Sequence, residues 1–211
     1  MTNESEDWKN LKEEEKSYTV RVLNWFHFKN NRQSWLKEEV ITWELIRLLQ
    51  IVPSKCLLKN LLIKIKDKNS SINKIINSII DEIDTIKVEP YPLLGLNGNK
   101  KKSRSDIGIE TERFGLWIEV KTQIINEEKL KEQIKKQKIS PYFNKDKSRA
   151  IISLIPENQN YKEEKITWNN LLDVIKESYK SIKNENNKMF GGYETMLKEL
   201  INRIELRNCF K

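Results

Sequence analysis

The fold is decided by two neighbouring stretches of sequence, SDIGIE at residues 105–110 and LWIEVKT at residues 116–122. Apolar residues alternate with polar or small ones in the first stretch and from Ile118 onward in the second, which is the pattern of a β-strand with one face in a core. We therefore predict two strands, Ser105–Thr111 and Leu116–Gln123, joined by a short turn that ends at Gly115. The simplest arrangement of these strands is a hairpin.

The hairpin predicts which side chains share a face. Successive side chains of a strand point to opposite faces, so Glu119 and Lys121 point together, away from the apolar residues between and beside them. In the neighbouring strand the isoleucines take the core face, which leaves Asp106 on the other side. Two carboxylates and one ammonium group should therefore converge on one patch. Glu110 shares that face two pleats away and is an alternative to Asp106.

Such a patch suits the metal-dependent hydrolysis of phosphodiesters. Mg²⁺ takes hard oxygen ligands and commonly uses only one or two protein carboxylates. The metal lowers the pKa of a bound water, and a neighbouring lysine can orient that water, help to deprotonate it, or hold the phosphate. The other interpretation is the charged outer face of an ordinary amphipathic hairpin. Helices predicted on both sides of the sheet argue against it, since buried charges are costly.

The rest of the chain predicts an α/β fold with a central mixed sheet flanked by helices, with additional helices at both ends. We predict helices over residues 35–50, 54–66, 72–83, 127–139 and 168–183, and a last one after Gly191-Gly192. Ala150–Ile155 is a continuous apolar run, as expected of a strand covered on both faces. The passage from the second hairpin strand through helix 127–139 to this strand resembles a crossover, which is right-handed when the strands are parallel.

The composition excludes several classes of protein. No apolar run is long enough to span a bilayer, and the acidic N-terminal stretch lacks the apolar segment of a signal peptide, so we expect a cytoplasmic protein without a membrane partner. Cys56 and Cys209 lie far apart and His27 is the single histidine, which excludes the usual zinc sites. Phosphate-loop and dinucleotide-binding motifs are absent. A metal in this protein would need carboxylate ligands.

The net charge of +8 suits a polyanionic partner such as nucleic acid. This evidence is weak alone, because 31 of the 39 basic residues are lysine, a bias typical of AT-rich coding sequences. A basic cluster, Lys100, Lys101, Lys102 and Arg104, lies directly before Asp106. A basic loop that enters the site would contact backbone phosphates. An ordinary solvated loop is the other interpretation.

The layout resembles the PD-(D/E)xK nuclease superfamily, which has the restriction-endonuclease-like fold, and in particular its phage and prokaryotic members. The match rests on Asp106 and on Glu119-Val120-Lys121. It extends to Glu39-Val40-Ile41-Thr42 in the first core helix and to Ile166-Thr167-Trp168 before a later helix. The chain departs from the pattern at two positions. Ser105 replaces the usual proline, and Gln137 stands where related sequences often have tyrosine.

The resemblance implies a site for Mg²⁺, with Mn²⁺ as an alternative, bound by Asp106, Glu119 and the backbone carbonyl of Val120. Lys121 would assist the attacking water. Glu39 would support the metal or a water, and Gln133 on the following helix would contact the site. As alternatives, Glu39 and Gln133 are solvent-facing helix residues. We divide the chain into an N-terminal extension (1–33), a nuclease-like α/β core (34–160) and a C-terminal helical part packed on the same domain (161–211).

The implied function is a Mg²⁺-dependent nuclease that hydrolyses phosphodiester bonds in DNA, in restriction, phage defence, repair or mobile-element biology. RNA stays open, because no feature of the sequence distinguishes a reader of the 2′-hydroxyl from a DNA binder. A homodimer would supply the two sites that duplex cleavage often requires. One alternative is a catalytically inactive nuclease-fold module that binds nucleic acid or another protein. Another is a basic scaffold protein unrelated to nucleases, in which the three charged residues do not cluster.

Overall fold

A computed structural model describes residues 38–90, 105–139, 143, 147–184 and 191–206. Its centre is a five-stranded sheet in the order β1-β2-β3-β4-β5. The strands are β1 (Lys87–Pro90), β2 (Ile107–Glu110), β3 (Phe114–Val120), β4 (Ser148–Ile155) and β5 (Lys165–Thr167). The described helices are α1 (Glu38–Ile51), α2 (Leu58–Lys68), α3 (Asn73–Asp81), α4 (Glu127–Lys138), α5 (Trp168–Asn184) and α6 (Gly191–Leu206).

The sheet is mixed, as predicted. Strand β2 pairs with β3 in an antiparallel hairpin that sets Ile107 opposite Ile118, and β1 extends this antiparallel part at the edge. On the other side of β3 the pairing becomes parallel, with Ile118 opposite Ile152 of β4, and β5 adds a second parallel pair. Helix α4 therefore lies in the crossover between two parallel strands, which confirms that prediction.

The two faces of the sheet are covered by different elements. One face carries the isoleucines and leucines predicted for the core, and it packs with residues of α1, α2, α3, α5 and α6 into the large hydrophobic core. The other face carries Trp117, Ile151 and Ile155, which pack with Leu130 and Ile134 of α4 into a smaller core. The predicted α/β fold with a sheet flanked by helices is thus confirmed.

The structure differs from the prediction mainly at short elements. Strand β1 was not predicted, and β5 belongs to the sheet although residues 161–211 are predicted to be helical. Helix α2 begins at Leu58 rather than at Ser54, because a turn occupies the intervening residues. None of the helices within the described ranges is both long enough and apolar enough to cross a bilayer.

A buried acidic side chain lies beside the turn of the hairpin, at the end of β2. Glu110 is 7% exposed and lies opposite Gly115 in the register of β2 and β3. Its Oε1 accepts a hydrogen bond from Trp117 Nε1 at 2.7 Å and another from Arg149 Nε at 3.0 Å. Lys147 Nζ lies 3.1 Å from its Oε2. The carboxylate is therefore held in place by three neighbours.

We expect Gly115→Ala to destabilise the fold by about 1–3 kcal/mol, the usual cost of overpacking a well-packed site. A Cβ at this position would lie 2.7 Å from Glu110 Oε1, and the partners of that carboxylate prevent it from moving away. Urea unfolding measures the difference. In a Glu110→Ala background the same substitution should cost much less, since the atoms that it meets are gone. An equal cost in both backgrounds would contradict this explanation.

Candidate active site

The predicted charged residues meet where β2 begins and β3 ends. The backbone N–H of Asp106 donates to the carbonyl of Ile118 at 3.1 Å, so Asp106, directly before β2, is still hydrogen-bonded to β3. Because Ile107 is opposite Ile118, Asp106 is next to Glu119 across the hairpin. Strand alternation therefore brings two carboxylates from adjacent strands to one end of the sheet.

Asp106 is fixed against the segment that carries the other two residues. Its Oδ2 accepts a hydrogen bond from the backbone N–H of Val120 at 2.7 Å. Val120 stands between Glu119 and Lys121 in the chain, so this bond joins the acid of the first strand to the centre of the Glu-Val-Lys motif. The side chain is neither fully buried nor fully exposed, which leaves it accessible to a ligand from solvent.

Glu119 is the most enclosed member of the group. It is 4% exposed, and each of its carboxylate oxygens has a protein donor. Lys121 Nζ lies 2.7 Å from Oε1, and Gln137 Nε2 from helix α4 donates to Oε2 at 2.6 Å. A buried charge is tolerated only when it is paired and hydrogen-bonded, and these two donors satisfy that requirement.

The backbone of Lys121 is held on two sides. Its N–H donates to the carbonyl of Leu154 in β4 at 2.8 Å, although the residue lies just beyond the end of β3. Its carbonyl accepts a hydrogen bond from Trp168 Nε1 at 2.8 Å. Trp168 is the first residue of α5, so the ammonium group starts from a backbone position that both the sheet and a following helix define.

A neutral polar side chain lies on the other side of Glu119. Ser153 of β4 is opposite Glu119 in the parallel register and is fully buried. Its hydroxyl has no hydrogen bond of good geometry with a described residue, although interaction with it lowers the pKa of Tyr161. Burial outweighs that effect and raises the pKa of Tyr161 to about 12, so the phenol stays neutral near pH 7. Ser153 and Tyr161 are therefore both uncharged near neutral pH.

The donor groups at this site fit a hard divalent cation. Asp106, Glu119 and the carbonyl of Val120 offer oxygen atoms only, and Mg²⁺ is commonly bound by one or two carboxylates with solvent completing its shell. No group of three or more acidic, histidine or cysteine side chains suited to a metal occurs within the described ranges. A metal here would therefore be held by a carboxylate pair, and it would have to share Glu119 with Lys121.

One side chain of helix α4 contacts Glu119, and it belongs to Gln137, whose amide donates to Oε2. Gln133 lies one turn earlier on α4, and its Oε1 is buried without a hydrogen-bond partner in the described part of the chain. The contact predicted for Gln133 stays a prediction, and the contact of Gln137 is one that the sequence pattern did not indicate. Glu39 is within α1, but its side chain lies outside the described part of the structure.

Two further predictions concern residues around the pair. Lys100, Lys101, Lys102 and Arg104 lie outside the described residues. Glu110, the alternative to Asp106 as a ligand, shares its face but sits four residues along the strand, about 13 Å away at the usual rise per residue. Its partners there are Arg149, Lys147 and Trp117, so its contacts belong to a separate buried cluster.

A scan against protein-family models gives no match, and searches of curated proteins and of solved structures give no significant match either.

Proposed function

We propose that the protein is a Mg²⁺-dependent nuclease of the PD-(D/E)xK type that hydrolyses phosphodiester bonds in DNA. The observation that carries this proposal is a pair of contacts at the end of β3. Asp106 Oδ2 lies 2.7 Å from the Val120 amide, and Lys121 Nζ lies 2.7 Å from Glu119 Oε1. Two acids and one amine from adjacent strands thus share one small region, which the sequence motif of this superfamily requires.

In this mechanism each residue has a defined task. Asp106, Glu119 and the Val120 carbonyl would hold Mg²⁺, which when bound polarises the scissile phosphate and lowers the pKa of a water ligand. Lys121 orients the attacking water or holds a phosphate oxygen, since its ammonium group is a compact donor on a flexible stem. Gln137 keeps one oxygen of Glu119 in a fixed direction.

The ion pair with Glu119 determines where Lys121 starts. In the structure the ammonium group neutralises Glu119 at Oε1. A divalent cation held by Asp106 and Glu119 would supply positive charge at the same place, and the four-carbon stem of Lys121 would then allow its ammonium group to turn toward a substrate phosphate.

The proposal also includes the substrate-binding surface. The cluster Lys100, Lys101, Lys102 and Arg104 directly precedes Asp106 in the chain, and we assign it to contacts with backbone phosphates. A homodimer would bring two such sites to a duplex. The same proposal places the protein in the cytoplasm, where it would meet its nucleic-acid substrate.

A second candidate function is a nuclease-fold module that binds nucleic acid or another protein without cleavage. One observation favours it. Both oxygens of Glu119 are already bonded to protein donors, Lys121 and Gln137, so this charge is satisfied without any metal. In this case the cluster would stabilise the end of β3 rather than carry out a reaction.

Incubation with supercoiled plasmid, linear duplex, single-stranded DNA and RNA, each with Mg²⁺, Mn²⁺ or EDTA, tests the proposed function. We expect cleavage of DNA with Mg²⁺ or Mn²⁺ and none with EDTA. Asp106→Asn, purified in parallel, keeps the shape of the side chain but loses the anionic ligand, and it controls for a contaminating nuclease. Full activity in EDTA, or equal activity of this variant, would contradict the mechanism. Binding of nucleic acid without cleavage under every condition would support the second candidate.

A further inference from the structure

We propose that Gln137, supported by Ser105, is a positioning residue that fixes the Glu119 carboxylate for the divalent cation. This inference rests on the proposed function, since it assigns roles to two residues behind the same carboxylate. It concerns residues that do not touch the substrate, and it follows from a buried chain of polar contacts behind Glu119.

The first observation is the burial of two polar side chains. Gln137 is 1% exposed although it lies in a helix made mostly of lysine, glutamate and glutamine. Ser105 is 0% exposed. Polar side chains of these types are usually exposed, and when they are fully buried they need partners. Their burial therefore requires a reason in the contacts that they make.

The second observation is the direction of those contacts. Gln137 Nε2 donates to Glu119 Oε2 at 2.6 Å. The Ser105 hydroxyl lies 3.5 Å from Gln137 Oε1, at the outer limit of a hydrogen bond, and it is placed to donate to that oxygen. A continuous polar chain thus runs from the residue before Asp106, through helix α4, to the metal-binding carboxylate at the end of β3.

The two carboxylate oxygens of Glu119 have chemically different donors. At Oε1 the donor is the Lys121 ammonium, a cation. At Oε2 the donor is a neutral amide, which orients the carboxylate without neutralising its charge. Hydrogen bonds that orient a ligating carboxylate are part of the affinity of a metal site. Gln137 would therefore keep the carboxylate oriented and negatively charged for a divalent cation.

The contact between Ser105 and Gln137 couples the two positions. Their side-chain oxygens lie 3.5 Å apart although the residues are 32 positions apart in the sequence. An alanine at 105 would offer no hydroxyl to the glutamine, so a change at one position should alter the effect of a change at the other.

The test is the affinity of the metal-free protein for Mn²⁺, measured by the electron paramagnetic resonance of the free ion, without any turnover. We expect Gln137→Met, which removes the donor at similar length, to weaken Mn²⁺ binding by about 10- to 100-fold. Ser105→Ala, which removes one hydroxyl, should weaken it by about 2- to 12-fold. The double variant should bind no more weakly than Gln137→Met alone, because Ser105 acts through Gln137.

The controls separate a positioning role from a general loss of structure. Lys135→Met changes an exposed residue of the same helix and should bind Mn²⁺ as the unaltered protein does. Circular dichroism establishes that each variant is folded, and if Gln137→Met does not fold, Ser105→Ala carries the test. The inference is overturned if Gln137→Met binds Mn²⁺ with unaltered affinity. It is also overturned if Gln133→Met weakens Mn²⁺ binding and Gln137→Met does not. If the losses of affinity caused by Ser105→Ala and Gln137→Met simply add in the double variant, the role of Ser105 is overturned.

The same titration distinguishes the failure of this inference from the failure of the proposed function. If the unaltered protein binds Mn²⁺ and Asp106→Asn does not, the metal site is present, and the Gln137 and Ser105 variants decide the inference alone. If the unaltered protein binds no better than Asp106→Asn, the proposed metal site is absent, and both ideas are overturned.

Discussion

Lys121→Ala is expected to reduce DNA cleavage by a factor of about 10² to 10⁴, the usual contribution of a side chain that assists proton transfer or orients a reacting water. The ammonium group lies 2.7 Å from Glu119, at the point where the nucleophile would be generated, and alanine leaves nothing in its place. Nicking of supercoiled plasmid at saturating Mg²⁺ measures the change in rate.

Under the proposed function, the same substitution should not weaken the binding of the metal. Lys121 occupies Oε1 of Glu119 in the structure, so a divalent cation at that carboxylate would meet one competing cation fewer without the lysine. We therefore expect Mn²⁺ affinity to stay equal or rise while cleavage is lost. Lys74→Ala, at an exposed position of α3 on the opposite side of the sheet, is the matched control. Undiminished cleavage by Lys121→Ala would remove the lysine from the mechanism.

Glu110→Ala should lower the free energy of unfolding by about 3–5 kcal/mol, the usual cost of removing one partner of a buried ion pair. This loss is larger than the one expected for Gly115→Ala. Arg149 and Lys147 would keep their charges without the carboxylate, and Trp117 Nε1 would lose its acceptor. The loss should respond little to salt, since buried pairs are screened less than exposed ones. Urea unfolding at two salt concentrations measures it.

A double substitution tests whether the cost comes from the charge that Glu110 neutralises. Adding Arg149→Met to Glu110→Ala should recover part of the stability, because an apolar side chain then replaces a largely enclosed cation that has lost this carboxylate. Glu132→Ala is the control, since Glu132 pairs with Lys136 on the exposed face of α4 and such pairs contribute about 0–1 kcal/mol. A loss for Glu110→Ala as small as that of the control would contradict the assignment.

The central part of the fold could be predicted because its elements are long enough to show a period. Strands β2 and β3 alternate, β4 is continuously apolar, and α4 lies between two parallel strands. Strand β1 has four residues, of which only Val88 is buried, and β5 has three. A period of two cannot be recognised over so few residues, so tertiary pairing rather than local pattern decides these edges.

The candidate site was predictable to the extent that strand geometry determines it. Alternation alone puts Asp106, Glu119 and Lys121 on one side. The choice between Gln133 and Gln137 is different, because residues four apart lie on the same helix face and the angle at which α4 crosses the sheet selects between them. That angle depends on packing against Trp117 and its neighbours.

The partners of Glu110 likewise could not be predicted from the sequence pattern. Its face could be predicted, but Arg149 is 39 residues away in the chain, and only the parallel pairing of β3 with β4 brings the two together. An acidic residue on the site face was therefore indistinguishable, by alternation alone, from a metal ligand.

The hydrogen bond from the indole of Trp168 to the carbonyl of Lys121 limits how far this chain can be shortened. A fragment cut at the predicted boundary after residue 160 would keep every acidic and basic group of the candidate site. It would nevertheless lose β5, which forms one edge of the sheet, and the indole that holds the backbone carbonyl of Lys121. Minimal versions and fusion partners should therefore be designed with the strand and helix after residue 160 retained.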